Sequence, residues 1–349
     1  MKKLSELSIP MTDEEYYSND GTIHHSALAS YAKGGFDCIP TLFDLKESEA
    51  LLRGSIVDCM LTDTEETLHN KYMVADFPDL SIDIINVIKG LFNVYKDTYK
   101  SLDEISDNII SATMLEAGLY NNNWGAAARA KRCREGGTEY YNLLYLANGR
   151  TIVPAAMYQD CLNMVNALRN SPNTAFLYKE NNLLEPNIER VFQPVFRETI
   201  DGITYTIKPD ELVCLHDKKL IIATDLKTTG KPEYKFAQSF IDWGYSYQSR
   251  LYYKVVRQAL DKDSYFKDFK LSNWYFVVVN KDKLNPLVWE DKDTTTSGPL
   301  YYGKNNQIEV RDPFELAREL KYYLENNPNV PLNISTSEPN SLQDWINKL

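Results

Sequence analysis

The stretch from Lys208 to Thr228, KPDELVCLHDKKLIIATDLKT, decides how the chain is read. Leu220 to Thr228 is a strongly apolar run that reads as a strand, and His216-Asp217-Lys218-Lys219 before it is a polar turn. Side chains alternate along a strand, so Asp225 and Lys227 point the same way while Leu226 faces the core. Separated from Asp225 by fourteen residues, Asp210 closes the preceding strand, Gly202 to Lys208, and the turn folds that strand against this one. Asp210, Asp225 and Lys227 then meet at one end of a sheet. A carboxylate and an ammonium there are costly to bury without a purpose. Paired acids are hard oxygen donors that suit a divalent cation such as Mg²⁺, and the lysine can hold a water or a phosphate oxygen. Taken alone, an Asp-x-Lys tripeptide is more often a surface ion pair of little consequence.

Downstream, Phe236 to Leu260 reads as a long helix with an aromatic face. Gln248 and Tyr252, four apart, share one side of it, as they also would on an ordinary packed helix. Strands follow at Ser272 to Asn280 and Pro286 to Asp291, and a helix at Asp312 to Asn326 opens with Asp312-Pro313. Upstream, Val191 to Thr199 has strand character. Ser26 is a good N-cap for a helix that stops at Gly34-Gly35. A second helix, Ser48 to Leu61, carries Gly54-Ser55-Ile56-Val57-Asp58 and sets Asp58 on its inner side, where a solvated charge is the ordinary alternative. Residues 80–175 form a mainly helical block interrupted by Gly136-Gly137 and Pro154. The expected organisation is a loosely held arm (1–21), one α/β domain (22–326) carrying the helical insertion at about 80–175, and a tail (327–349). In the tail Leu342, Trp345, Ile346 and Leu349 make a short amphipathic helix that docks on its own core or on a partner.

Lys plus Arg is 38 and Asp plus Glu is 49 in 349 residues, a net charge of −11. That balance argues against a non-specific nucleic-acid coat but allows a DNA enzyme with a local basic track. Arg129, Lys131, Arg132 and Arg134, near Trp124, are the candidate track, with a solvated helix face as the alternative. No apolar run approaches the roughly 20 residues needed to cross a bilayer, and no apolar segment follows the N-terminus, so a cytoplasmic protein without membrane contact is expected. The five cysteines lack C-x-x-C spacing, which excludes a zinc knuckle or an iron–sulfur cluster. The absence of a G-x-x-x-x-G-K-[ST] loop excludes an ATP-driven motor in this chain.

Five elements stand in a telling order: His25-Ser26, Gly54-x-x-x-Asp58, Pro209-Asp210, Asp225-x-Lys227 and Gln248-x-x-x-Tyr252. In this order the chain resembles the PD-(D/E)xK nuclease superfamily. The nearest branch is that of the RecB-like and RecE-like exonucleases, such as the exodeoxyribonuclease VIII nuclease domain and related phage proteins. The likeness runs from about residue 22 to 300 and matches the helical block poorly. It implies a restriction-endonuclease-like α/β core, with a mixed central sheet flanked by helices and a large helical insertion. It also implies that Asp58, Asp210, Asp225 and the Leu226 carbonyl bind one or two Mg²⁺ ions, with Mn²⁺ as a substitute. Lys227 would position the attacking water, Gln248 and Tyr252 would orient Lys227 or hold the strand being cut, and His25 and Ser26 would touch DNA. RecB-like members commonly carry His where this chain has Asp58. The implied activity is exonucleolytic hydrolysis from duplex DNA ends, in phage or prophage recombination or repair within a bacterial host. A single-strand-annealing recombinase and further copies of the chain are the implied partners. The alternatives are a structure-specific or single-strand endonuclease of the same fold and a non-catalytic DNA-end-binding scaffold.

Overall fold

The Asp–Lys strand, Leu220–Thr229, lies at the centre of a five-stranded sheet in this computed structural model. The strand order is Ile188–Phe192, Glu211–Leu215, Leu220–Thr229, Lys270–Asn280, Leu287–Asp291. Residues 1–18, 20–43, 48–120, 123–182 and 184–326 are described, and the expected tail helix at 341–349 lies outside them. Only the step from Leu220–Thr229 to Lys270–Asn280 is parallel. A parallel step needs a crossover, and the helices Phe236–Asp242 and Tyr245–Lys262 supply it. The crossover helix covers one face of the sheet, packing Leu251, Tyr252, Val255 and Val256 with Leu212, Ile221, Ala223, Trp274 and Phe276. Each of these fully buried large side chains contributes roughly 1.5–3 kcal/mol. The mixed sheet flanked by helices matches the α/β expectation.

Several details differ from the sequence reading. Val191 to Thr199 is two strands, Ile188–Phe192 and Phe196–Ile200, which enter different sheets. The break falls at Gln193-Pro194, where Gln193 has φ of +48° and Pro194 has no N–H to give a ladder. Phe196–Ile200 pairs with Ile203–Ile207 in a separate hairpin, whose turn residues Asp201 and Gly202 both have positive φ. The neighbour of the Asp–Lys strand is therefore Glu211–Leu215, so Asp210 opens a strand and does not close one. The helix from Phe236 is broken at Trp243-Gly244, with Gly244 at φ +66°. The helix expected from Ser26 runs His25–Gly34 with His24 as its N-cap, two residues ahead of the Ser26 expectation.

The first residues are docked. Leu4 is fully buried, the backbone N–H groups of Leu4 and Ser5 donate to Glu189, and the Ile9 N–H donates to the Val195 carbonyl at 2.9 Å. The helix Asp13–Tyr17 is held by a reciprocal Thr12/Glu15 capping box and buries Tyr16. Removing residues 1–18 is expected to lower the melting temperature by on the order of 10 °C, since two large side chains leave the core. An unchanged melting curve would make the segment a loose arm after all.

The chain divides into two compact units, Met1–Leu52 with Asn166–Leu349, and Arg53–Val165. The second is the helical insertion, and it begins well before residue 80. Its strand Tyr72–Val74 pairs in parallel with Thr151–Val153, which ties its two ends together. The helices Ile82–Tyr95, Asp107–Glu116 and Ala126–Ala147 bury Ile88, Leu91, Ile110, Met114, Cys133 and Tyr141 in their own core. The last helix kinks at Glu135-Gly136, where Gly136 takes φ of +79°. Among the described residues no helix is long and apolar enough to cross a membrane.

Candidate active site

Cross-strand register builds the centre of the site. Glu211 pairs with Thr224, so one further step along the hairpin sets Asp210 opposite Asp225. The Leu226 N–H donates to an Asp210 carboxylate oxygen at 2.6 Å and fixes it there. Asp225 is 1% exposed. One of its oxygens accepts from the Lys227 ammonium and the other from the Gln248 amide. Burial, then the neighbouring Asp210 charge, push the Asp225 carboxyl well above the usual carboxylate range. Leu226 is only half-buried on the opposite face, so it is Asp225 and not Leu226 that points into the core.

Burial by itself would lower the Lys227 pKa, but the Asp225 and Asp210 carboxylates outweigh it and raise the ammonium above its ordinary value. The cation also faces the rings of Tyr245 and Phe276, at 5.0 and 5.8 Å from their centres. Gln248 is 3% exposed, and its Oε1 has no hydrogen-bond partner among the described residues. The Tyr252 hydroxyl lies 3.2 Å from His25 Nδ1, with the two rings edge-on, and Tyr16 also bonds to that hydroxyl. The structure thus gathers Asp210, Asp225, Lys227, Gln248, Tyr252 and His25. Ser26 is exposed on the same helix as His25.

His25 is neutral at physiological pH. Burial first, then the charges of Lys227 and His24, lower its pKa to about 3. A depressed value means the unfolded chain takes the proton first, so the stability this group contributes is present above about pH 6.5 and lost as pH falls toward 3. Proton NMR of the imidazoles is expected to show His25 flat between pH 5 and 8. A midpoint near 6.5 would contradict its placement beside Lys227.

Asp58 stands on the helix Glu49–Thr62, in the Arg53–Val165 unit, where its carbonyl accepts the Thr62 hydroxyl at 2.9 Å. Among the described residues no group of three His, Cys, Asp or Glu side chains is arranged to hold a metal ion. Asp210 and Asp225 are a pair.

The basic cluster separates into two kinds of residue. Arg129 is buried, its Nε donating to the Ser111 hydroxyl at 2.8 Å and a terminal nitrogen to the Trp124 carbonyl. Arg134 holds the Asp107 carboxylate and the Ile105 carbonyl, each at 2.7 Å. Both guanidinium groups staple the helical unit together, which corrects their assignment to an open track. Lys131 and Arg132 are exposed, and Arg132 pairs with Glu135 at 3.0 Å.

Sequence reasoning passed over three neighbours. Tyr245 stands at i−3 from Gln248 and so shares its helix face, a signal that was available. Glu211, fully buried and pushed up to about 8 by burial, accepts the Thr224 hydroxyl at 3.2 Å beside the acid pair. Tyr16 lay in a segment read as unstructured.

No protein-family model and no curated protein matches the chain. Among solved structures it is similar to a candidate exonuclease from Eubacterium rectale, with 13% identity over 91% of this chain and 85% of that one and a TM-score of 0.40. It is also similar to a Vibrio cholerae protein, with 11% identity over 80% of this chain and 57% of that one and a TM-score of 0.17. Neither likeness reaches the level of a shared fold, so function rests on the geometry of the site.

Proposed function

We propose that the chain is a metal-dependent deoxyribonuclease of the PD-(D/E)xK type, acting as an exonuclease on duplex DNA ends. The observation that carries this reading is the opposed pair Asp210 and Asp225, with the Lys227 ammonium on a buried Asp225 within the strand Leu220–Thr229. Two carboxylates pressed together, one of them with a strongly raised pKa, are a mutual cost that a cation relieves. The donors are hard oxygens, so the pair fits Mg²⁺, with Mn²⁺ as substitute. Asp210, Asp225 and the Leu226 carbonyl would hold it, and the Asp58 expectation is tested by substitution. When bound, such an ion neutralises phosphate charge and lowers the pKa of water.

The chain's own groups do the rest. Lys227, kept charged by two acids and aimed by the Tyr245 ring, holds the attacking water or the phosphate oxygen on which charge develops. Gln248 fixes the rotamer of Asp225 by donating to it. Tyr252 and neutral His25 wall the site without adding charge. Water adds to phosphorus, the bond to the leaving sugar oxygen breaks, and a terminal phosphate and a hydroxyl result. A role in phage or prophage recombination, beside an annealing recombinase and as a homo-oligomer in a bacterial cytoplasm, belongs to the same proposal. An endonuclease of the same fold is the second reading, and the intact acid pair and lysine favour either over a scaffold.

Digestion of end-labelled linear duplex beside a closed circle, with Mg²⁺ and with EDTA, tests this. Loss of the linear form alone, in Mg²⁺ alone, is the expected result. Cutting of the circle supports the endonuclease, and no cutting supports the scaffold.

If the exposed cations guide DNA, reversing Lys131 and Arg132 to Glu should weaken binding and reduce the slope of log affinity against log salt by about 2, since each phosphate contact contributes roughly 0.9. Arg129→Ala should instead lower the melting temperature, because it orphans a buried hydroxyl and a carbonyl. An unchanged salt slope in the double reversal would make these two residues an ordinary solvated face.

A further inference from the structure

The corner that leads into the Gln248 helix leaves a large aromatic side chain in water two residues before Tyr245, whose ring faces Lys227. Trp243 follows the helix Phe236–Asp242 and is 60% exposed. Gly244, in the left-handed region, turns the chain into Tyr245–Lys262. A Cβ on Gly244 would lie 2.9 Å from the Tyr247 ring and 3.5 Å from Ala29, so the corner sits directly on the helix His25–Gly34. One turn beyond Ala29 on that helix, Lys33 places its ammonium 5.5 Å from the centre of the Trp243 ring. Two residues after Trp243, the Tyr245 ring faces the Lys227 ammonium at 5.0 Å. The loop that leaves the Asp–Lys strand reaches the same corner, with Lys231 3.6 Å from Asp242. It also carries Tyr234, 79% exposed, with Lys235 next to it. In a chain of net charge −11, this gathers Lys33, Lys231 and Lys235 with the exposed rings of Trp243 and Tyr234 around one corner.

We propose that Trp243 is a stacking platform for an unpaired base of a DNA strand led into or away from the site, with Lys33 and Lys231 alongside its phosphates. An indole face accepts any base and so suits a sequence-independent enzyme, but it needs a base released from its duplex partner. Lysines beside the ring supply the charge that a polyanion seeks and an isolated apolar patch lacks. The proposal rests on the nuclease reading above and adds the substrate form, a frayed or single-stranded end. Trp243 touches substrate in this account and takes no part in the chemistry.

The test uses the full chain in EDTA, where no cutting interferes, with a twelve-nucleotide oligothymidylate and, separately, a duplex closed by hairpins at both ends. Tryptophan fluorescence should be quenched by the oligonucleotide and much less by the closed duplex. Trp243→Ala should lose that quenching and bind the oligonucleotide about tenfold more weakly, with Trp243→Phe recovering part of the affinity. Lys33→Ala should lower the salt slope by about 0.7. Circular dichroism establishes that each variant is folded, as expected for exposed positions. Unchanged affinity in folded Trp243→Ala overturns the proposal. The same preparations assayed for cutting in Mg²⁺ separate the two ideas. A wild type that cuts DNA while Trp243→Ala binds normally sinks stacking alone, whereas a wild type that neither cuts nor binds sinks both.

Discussion

Lys227→Ala lowers the single-turnover rate of cutting linear duplex DNA by about 10³-fold or more, with DNA binding nearly intact. Removing one preorganised donor to developing charge typically costs about 10²–10³, and this donor is a full cation held in place by the Asp225 carboxylate and a ring. The sheet beneath it is packed by Trp274, Leu251 and Val256, none of which touches the ammonium, so the fold survives. Lys227→Arg is expected to restore little, because a planar guanidinium cannot replace a point charge between the Tyr245 face and one Asp225 oxygen. A rate for Lys227→Ala within tenfold of wild type would remove the lysine from the chemistry.

Asp58 gives the second large effect. If it is the third acid, Asp58→Ala abolishes cutting while the melting curve and DNA binding change little. Asp58→His is more discriminating. Imidazole is a softer ligand than carboxylate and suits Mn²⁺ better than Mg²⁺, so this variant should lose most activity in Mg²⁺ and regain part of it in Mn²⁺. Lys227→Ala should stay inactive with either ion, since a change of metal cannot replace a group acting on water or phosphate. Full activity of Asp58→Ala in Mg²⁺ would leave Asp210 and Asp225 as the only acidic ligands.

What was legible in the chain follows from which signals are local. The Asp–Lys strand is a long apolar run with alternating faces, and the polar turn at 216–219 returns the Asp210 segment to it, although on a different strand from the one expected. Glu211–Leu215 was missed because five buried residues lack the alternation of a half-exposed strand, and Pro209 conceals where one sheet ends and the next begins. The docking of residues 4–17 was invisible because Leu4 and Tyr16 are isolated apolar residues whose partners, such as Glu189 and Tyr252, are far along the chain. The basic cluster misled for a related reason. Four cations within six residues look alike in sequence, and only tertiary contacts reveal that Arg129 and Arg134 satisfy the interior. The Gln248–Tyr252 spacing succeeded because a helix face depends on local geometry alone.

The central claim is that the Asp210–Asp225 pair makes this chain a metal-dependent nuclease. Wild type and Asp225→Asn, compared side by side on end-labelled linear duplex in Mg²⁺, test it most directly. Asparagine keeps the shape of the side chain, removes the charge and turns one of its two accepting oxygens into a donating amide. The account predicts steady degradation by wild type, none by Asp225→Asn, and similar DNA binding by both. Equal degradation by the two proteins, or intact DNA with wild type, would contradict it.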